Sequence, residues 1–312
     1  MKKTLIILGC AASVLCLLLL ACYINHRVCL DRERALLSPI GQRVEVEGGS
    51  MNVYTEGAGE KTLVFMSGGG TCSPVLDFRS LYSLLSDEYR VAVVEKFGYG
   101  FSDVVADAQR DIDSVLECTR AALSAVGIDG PYVLCPHSMS GIEALYWAQK
   151  YPDEVSAIIG LDMAVPSAYR DYPISMAGIR LGQFAARAGI IRLLPGVAES
   201  DAIKYGTLTE EEKDIYRAVF YSRTATANMI EEVRCIKRSA ALVEQGDVPQ
   251  IPMLLFLSDG KGTGMERGQW VGHGKDFAAL AGDCRVVELD CPHYVHDYEY
   301  RRISGEIKSF LG

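Results

Sequence analysis

Basic residues are in deficit. The chain has 31 Lys and Arg against 40 Asp and Glu, a formal net charge of −9. A surface of that sign repels phosphate and argues against nucleic acid as a partner. Paired cysteine spacing is also missing. There are 10 Cys but no C-x-x-C pair and no His/Cys cluster with zinc spacing, so neither a structural metal nor a disulfide framework is expected. No motif recurs with a period of roughly 20–50 residues, which excludes solenoids and propellers. Charged residues at 23% and hydrophobic ones at 49% lack the bias of a disordered chain.

What the sequence does have begins at the amino terminus. Residues 5–24 form an apolar run behind Lys2 and Lys3. Such a run matches the roughly 20 residues a helix needs to cross a bilayer. It is longer than a secretory signal core and lacks a clean small-x-small cleavage site. The expectation is an uncleaved signal-anchor over 1–26 that places residues 5–24 in the lipid bilayer, followed by a polar linker over 27–42. A removed signal, or lipid attachment at Cys22 in Leu19-Leu20-Ala21-Cys22, are the alternatives. Lys2 and Lys3 favour an inside amino terminus against Arg27, Arg32 and Arg34 beyond the run. The expected location is a single-pass cell-membrane protein with its main domain outside.

The remaining chain, at 43–312, is long enough for one α/β domain. Alternating runs at 43–47 and 51–55, joined by Gly48-Gly49, predict a hairpin. Denser apolar runs at 62–67, 91–95, 132–135, 156–162, 252–258 and 285–290 predict strands buried on both faces. Helical patterns at 111–126 and 140–150 lie between them. The rhythm predicts a mostly parallel, eight-stranded, doubly wound sheet. Residues 166–248 hold no convincing strand and several helical patterns, including an amphipathic 179–194 and a charged 209–220. They read as a helical cap inserted after the sixth strand.

The sharpest motif is Tyr132-Val-Leu-Cys-Pro-His-Ser138-Met139-Ser140-Gly141. A buried strand delivers a serine directly into a helix, the geometry that lifts a hydroxyl above a sheet. The bland alternative is a helix N-cap serine. Ser140 is a rival nucleophile, but it would set Ile142 where space is tightest. A second motif, Leu63-Val-Phe-Met-Ser67-Gly68-Gly69-Gly70, closes the third strand. A third, Glu95-Lys96-Phe97-Gly98-Tyr99-Gly100-Phe101-Ser102, follows the fourth. It has one Gly-x-Gly and no dinucleotide fingerprint. Late in the chain stand Leu257-Ser258-Asp259-Gly260 and Leu289-Asp-Cys-Pro-His293-Tyr-Val-His296.

Together these motifs resemble the α/β-hydrolase fold superfamily, over residues 43–312 and in the same chain order. Its elbow often reads Gly-His-Ser-Met-Gly-Gly, and its third strand often ends His-Gly. Here Pro136, Ser140, Ser67 and Pro292 depart from that pattern. The resemblance implies Ser138 as nucleophile and His293 as general base, with His296 a lesser candidate and His137 and His273 behind it. It implies Asp259 as the acid that orients the base, with Asp162 at the end of the sixth strand as the alternative. Gly69 and Met139 N–H would form the oxyanion hole, with Gly70 the neighbouring candidate. No cofactor and no metal are implied. The expected activity is serine hydrolysis of a carboxylester or amide in a small-molecule or peptide acyl substrate. A prolyl-aminopeptidase-like peptidase, an acyltransferase on the same triad and a non-catalytic ligand-binding protein are the alternatives.

Overall fold

A computed structural model of the chain describes residues 2–105 and 110–312. Met1 of the expected anchor lies outside them.

Eight strands form one sheet: β1 (Gln42–Val46), β2 (Gly49–Glu56), β3 (Thr62–Met66), β4 (Arg90–Glu95), β5 (Tyr132–Pro136), β6 (Val155–Leu161), β7 (Met253–Leu257) and β8 (Cys284–Glu288), in the spatial order 1-2-4-3-5-6-7-8. β1 and β2 pair antiparallel, as do β2 and β4; the other pairs are parallel. Glu47 and Gly48 both have positive φ at the hairpin, the handedness that a two-residue connection between right-twisted strands requires.

The dense apolar runs from β3 to β7 are explained by burial on two sides, whereas β8, expected to be buried on both faces, is the sheet edge and exposes Arg285 and Glu288. Along β3, Val64 packs with Leu134, Ile142 and Trp147 in one core, whereas Leu63 and Phe65 pack with Phe78, Leu81 and Ile303 in the other. Each such buried side chain contributes about 1.5–3 kcal/mol. The first core is covered by α4 (Ile112–Ala125) and α5 (Ser140–Lys150). The second is covered by α2 (Pro74–Asp77) and α3 (Arg79–Tyr82), and by α11 (Val295–Tyr298) and α12 (Tyr300–Leu311) at the chain end. α10 (Arg267–Ala278) packs on β7 and β8.

Between β6 and β7 lies the helical cap. It consists of α6 (Met176–Arg187), α7 (Asp201–Tyr205), α8 (Glu210–Arg223) and α9 (Ala227–Glu244) with short 3-10 turns. α8 starts on a complete capping box between Thr209 and Glu212, and Thr226 caps α9. The expected helix over 179–194 is shorter than the pattern suggested. α6 ends at Arg187, because Gly189 adopts a left-handed φ of 76° and starts a separate 3-10 turn, Ile190–Leu193.

α1 (Lys2–Glu33) is apolar and long enough to cross a membrane. It continues through residues 27–33, expected as linker, and its carboxyl end rests on the cap. Arg192 of the cap donates to both Glu33 carboxylate oxygens at 2.8 and 2.6 Å and to His26 Nδ1 at 2.9 Å.

Candidate active site

Strand order reverses between β3 and β5, and a crevice opens at the carboxyl ends of strands flanking such a point. The parallel register pairs Met66 with Pro136. The glycine loop after β3 and the serine after β5 therefore leave the sheet side by side. Likewise Leu161 pairs with Phe256 and Leu257 with Glu288, so Asp162, Asp259 and His293 emerge at the same edge.

Ser138 has a left-handed φ of 55°. A non-glycine residue held there stores about 1–3 kcal/mol of strain, which surrounding contacts must offset. They do. The Ser138 carbonyl accepts from Gly141 N at 3.0 Å and Ala164 N at 2.8 Å, and His137 N donates to Met66 O at 2.9 Å. Gly68 is needed because the loop lies against this turn, whereas at Gly69 only the flexible end of Met139 would have to shift. A Cβ on Gly68 would meet Ser138 Cβ at 2.8 Å, and one on Gly69 would meet Met139 Cε at 2.9 Å. The rival Ser140 is fully buried, and its hydroxyl reaches the Met66 and His137 carbonyls at 2.7 and 2.8 Å. It faces the backbone and not the cavity. Gly70 N donates to Tyr99 Oη at 3.4 Å, whereas Gly68 and Gly69 line the cavity.

His293 lines the same cavity, a space of about 220 Å³ lined by Gly68, Gly69, Ser138, Tyr169, Tyr172 and His293 among others. Its Nδ1–H donates to Asp162 Oδ2 at 2.5 Å. The second Asp162 oxygen accepts from Ser258 N at 2.7 Å and Trp270 Nε1 at 2.8 Å. Asp162 is fully buried, with a left-handed φ of 51° that turns it off the end of β6. This corrects the leading expectation for the acid. Asp259 does not contact His293. Both of its oxygens are taken by its own loop, Oδ1 by Lys261 N at 2.9 Å and Oδ2 by Lys261 Nζ at 2.7 Å. The physical reason is local: Lys261, two residues on, holds the Asp259 carboxylate, and the carboxylate that meets His293 comes from the end of the neighbouring strand instead.

The other histidines have structural partners. His296 Nε2–H donates to buried Asp77 at 2.9 Å, and Tyr216 Oη donates to the other Asp77 oxygen at 3.1 Å. His137 donates to the His293 carbonyl at 3.2 Å and packs tilted against its ring, with centroids 4.6 Å apart. Burial, then His293 and His296, hold His137 well below the usual imidazole range, so it packs as a neutral ring. His273 shares a hydrogen bond of 3.0 Å with Ser167 Oγ. Asp77, His296 and Asp297 are the group with ligand-type atoms close enough for a metal among the described residues. Burial, then Asp77 and Asp201, push the Asp297 carboxyl far above its ordinary range, which favours a neutral acid there.

Two features escaped the sequence reading. Trp270 stabilises Asp162. A buried charge cluster also ties the cap to the core: Lys96 pairs with Glu143 at 2.6 Å and with Glu232 of α9, and Tyr99 Oη donates to Glu232 at 2.5 Å. The signal was a Glu-Lys pair closing an otherwise apolar strand, which water could not satisfy at that depth.

A family model described as the alpha/beta hydrolase fold matches residues 61–188. The chain is 37% identical over 295 residues to the uncharacterized protein YbdG of Bacillus subtilis (strain 168), covering 92% of this chain and 90% of that one. It is 26% identical over 171 residues to a 2-hydroxy-6-oxononadienedioate/2-hydroxy-6-oxononatrienedioate hydrolase of Paraburkholderia phymatum, covering 53% and 59%. The enol-lactonase structure from Burkholderia xenovorans LB400 superposes with a TM-score of 0.63 at 16% identity, covering 86% of this chain and 99% of that one.

Proposed function

Given that the chain belongs to the α/β-hydrolase fold superfamily, we propose that it is a membrane-tethered serine hydrolase acting through an acyl-enzyme on carboxylesters. The observation that carries this reading is a strained Ser138 lining one small cavity together with a histidine hydrogen-bonded to a buried carboxylate. His293 takes the Ser138 proton as the hydroxyl oxygen attacks the acyl carbon. Asp162 holds the ring in the tautomer that leaves Nε2 free and stabilises the imidazolium. Gly69 and Met139 N–H groups receive the developing oxyanion. The leaving alcohol takes its proton from His293, and water then releases the acyl group by the same steps in reverse. The hydrolase named among the relatives supports hydrolysis as the reaction, without bearing on the ester in particular.

The cavity at the serine is small, about 220 Å³, against the roughly 300–1,000 Å³ usual for small-molecule sites. A groove of about 600 Å³ shares Ala168, Tyr172 and Met265 with it. That division suits a short group at the serine and a longer remainder in the groove. α1 supplies the tether through residues 5–24.

The test is labelling of the full chain with a fluorophosphonate probe, beside Ser138→Ala and His293→Ala. Labelling of the wild type that disappears in Ser138→Ala and falls at least about a hundredfold in rate in His293→Ala is expected. A folded wild-type protein that takes up no probe would sink the reading.

A further inference from the structure

The cap carries an apolar surface that no other element among the described residues covers. Leu181 and Phe184 on α6 are 68% and 52% exposed, and Leu193 and Leu194 just beyond are 65% and 55% exposed. Residues three apart on a helix share a face, so Leu181 and Phe184 stand together. Arg180 and Arg187 are exposed beside them on the same helix. Large exposed apolar side chains in one area mark an interaction surface.

Their position says what covers them. α1 meets the cap at the turn between α6 and Leu193. A Cβ on Gly189 would come within 2.4 Å of His26 Cβ and 2.7 Å of the Cys22 carbonyl. The contact is pinned by Arg192, which holds both Glu33 and His26. Leu193 and Leu194 follow Arg192 directly. The apolar run of α1 therefore leaves the protein surface at Cys22, beside the exposed leucines. If residues 5–24 fill the hydrocarbon layer, His26 and Arg192 stand at the headgroup level. The apolar cap residues then stand at the same level, with arginines available to anionic headgroups.

We infer that this cap face, formed by Leu181, Phe184, Leu193 and Leu194, lies in the interface of the bilayer that α1 enters. The inference rests on the tether reading. It makes the cap a second, monotopic contact, of the kind an amphipathic helix with basic flanks makes.

The experiment uses the full chain reconstituted in phosphatidylcholine–phosphatidylglycerol vesicles, with and without brominated acyl chains, which quench tryptophan on contact. Both native tryptophans, Trp147 and Trp270, are buried and give a constant background. Phe184→Trp and Leu193→Trp are expected to be quenched by bromines placed high on the chain. Leu280→Trp, at an exposed site just after α10, is expected to show no quenching. Leu15→Trp in α1 reports the tether itself. Quenching of Leu15→Trp without quenching at 184 and 193 leaves the tether standing and overturns the inference. No quenching at 15 overturns both. Shielding at 184 and 193 that grows with protein-to-lipid ratio and is insensitive to bromine would assign the face to a second copy of the chain instead.

Discussion

Asp162 and Asp259 differ in what holds them, and function should follow. Asp162 is fully buried and spends its oxygens on His293, Trp270 and the Ser258 amide. Asp162→Asn keeps the shape but puts the wrong tautomer on His293, so kcat should fall roughly 10³–10⁴-fold. Asp259→Asn loses a lysine contact at the rim and should cost less than about tenfold. Steady-state kinetics on an activated ester separates them, and the reverse ranking would return the role to Asp259. Glu95 offers a test of stability. Burial pushes its carboxyl up to about 7, despite amides from Phe101 and Val75 and the Asn52 side chain. The folded state therefore keeps a proton that the unfolded state releases near 4.5. This contribution is present below the unfolded value and lost as pH rises toward 7, up to about 3 kcal/mol. In Glu95→Gln that loss between pH 4.5 and 7 should vanish from denaturation midpoints, over a pH-independent offset from the altered acceptor. An unchanged pH slope would show that Glu95 ionises normally.

Elements with their own periodicity could be read before the structure. The dense apolar runs at 62–67, 91–95, 132–135, 156–162 and 252–258 became strands, because burial on both faces leaves almost no polar position in the pattern, and 285–290 became the half-exposed edge strand β8. The serine turn was legible because strand and helix abut it without a loop. What could not be read was choice between elements. Asp162 and Asp259 both end strands, and only the pairing of Leu161 with Phe256 and the left-handed turn at 162 decide which carboxylate meets His293. Cap packing was opaque for the same reason: Glu232 looks like a surface residue on α9 until Lys96 is found beneath it. That contact predicts the behaviour of the whole helix. Glu232→Ala leaves buried Lys96 with Glu143 as its remaining carboxylate and removes the carboxylate 3.7 Å from buried Arg110. Breaking a buried pair from one side costs about 3–5 kcal/mol. It also frees Tyr99, whose hydroxyl accepts from Gly70 in the glycine loop. Chemical denaturation should show that loss, together with reduced kcat. Stability within about 1 kcal/mol of the wild type would mean the cap is held by its apolar contacts alone.

At the scale of the molecule, anchor, cap and cavity form a sequence in space. In the proposed arrangement α1 enters the bilayer and the cap meets the same surface at the leucines after Arg192, which holds Glu33 of α1, while Tyr172, which lines the cavity, lies four residues before α6 begins. An enzyme arranged in this way meets substrates dissolved in the membrane differently from those in water. Phe184 lines neither the cavity nor the groove, so Phe184→Asp should leave kcat/KM for a short water-soluble ester within about twofold. For a long-chain ester carried in vesicles, the same variant loses one interfacial anchor. Burying a phenylalanine is worth about 1.5–3 kcal/mol when complete, and partial insertion of half that corresponds to roughly three- to tenfold in apparent kcat/KM. Restoring an apolar residue with Phe184→Leu should recover most of it, since area and not ring chemistry is at work. Equal losses on both esters would mean that Phe184 shapes the cap and not its contact with lipid, and equal retention on both would mean that α1 alone presents the cavity to the membrane.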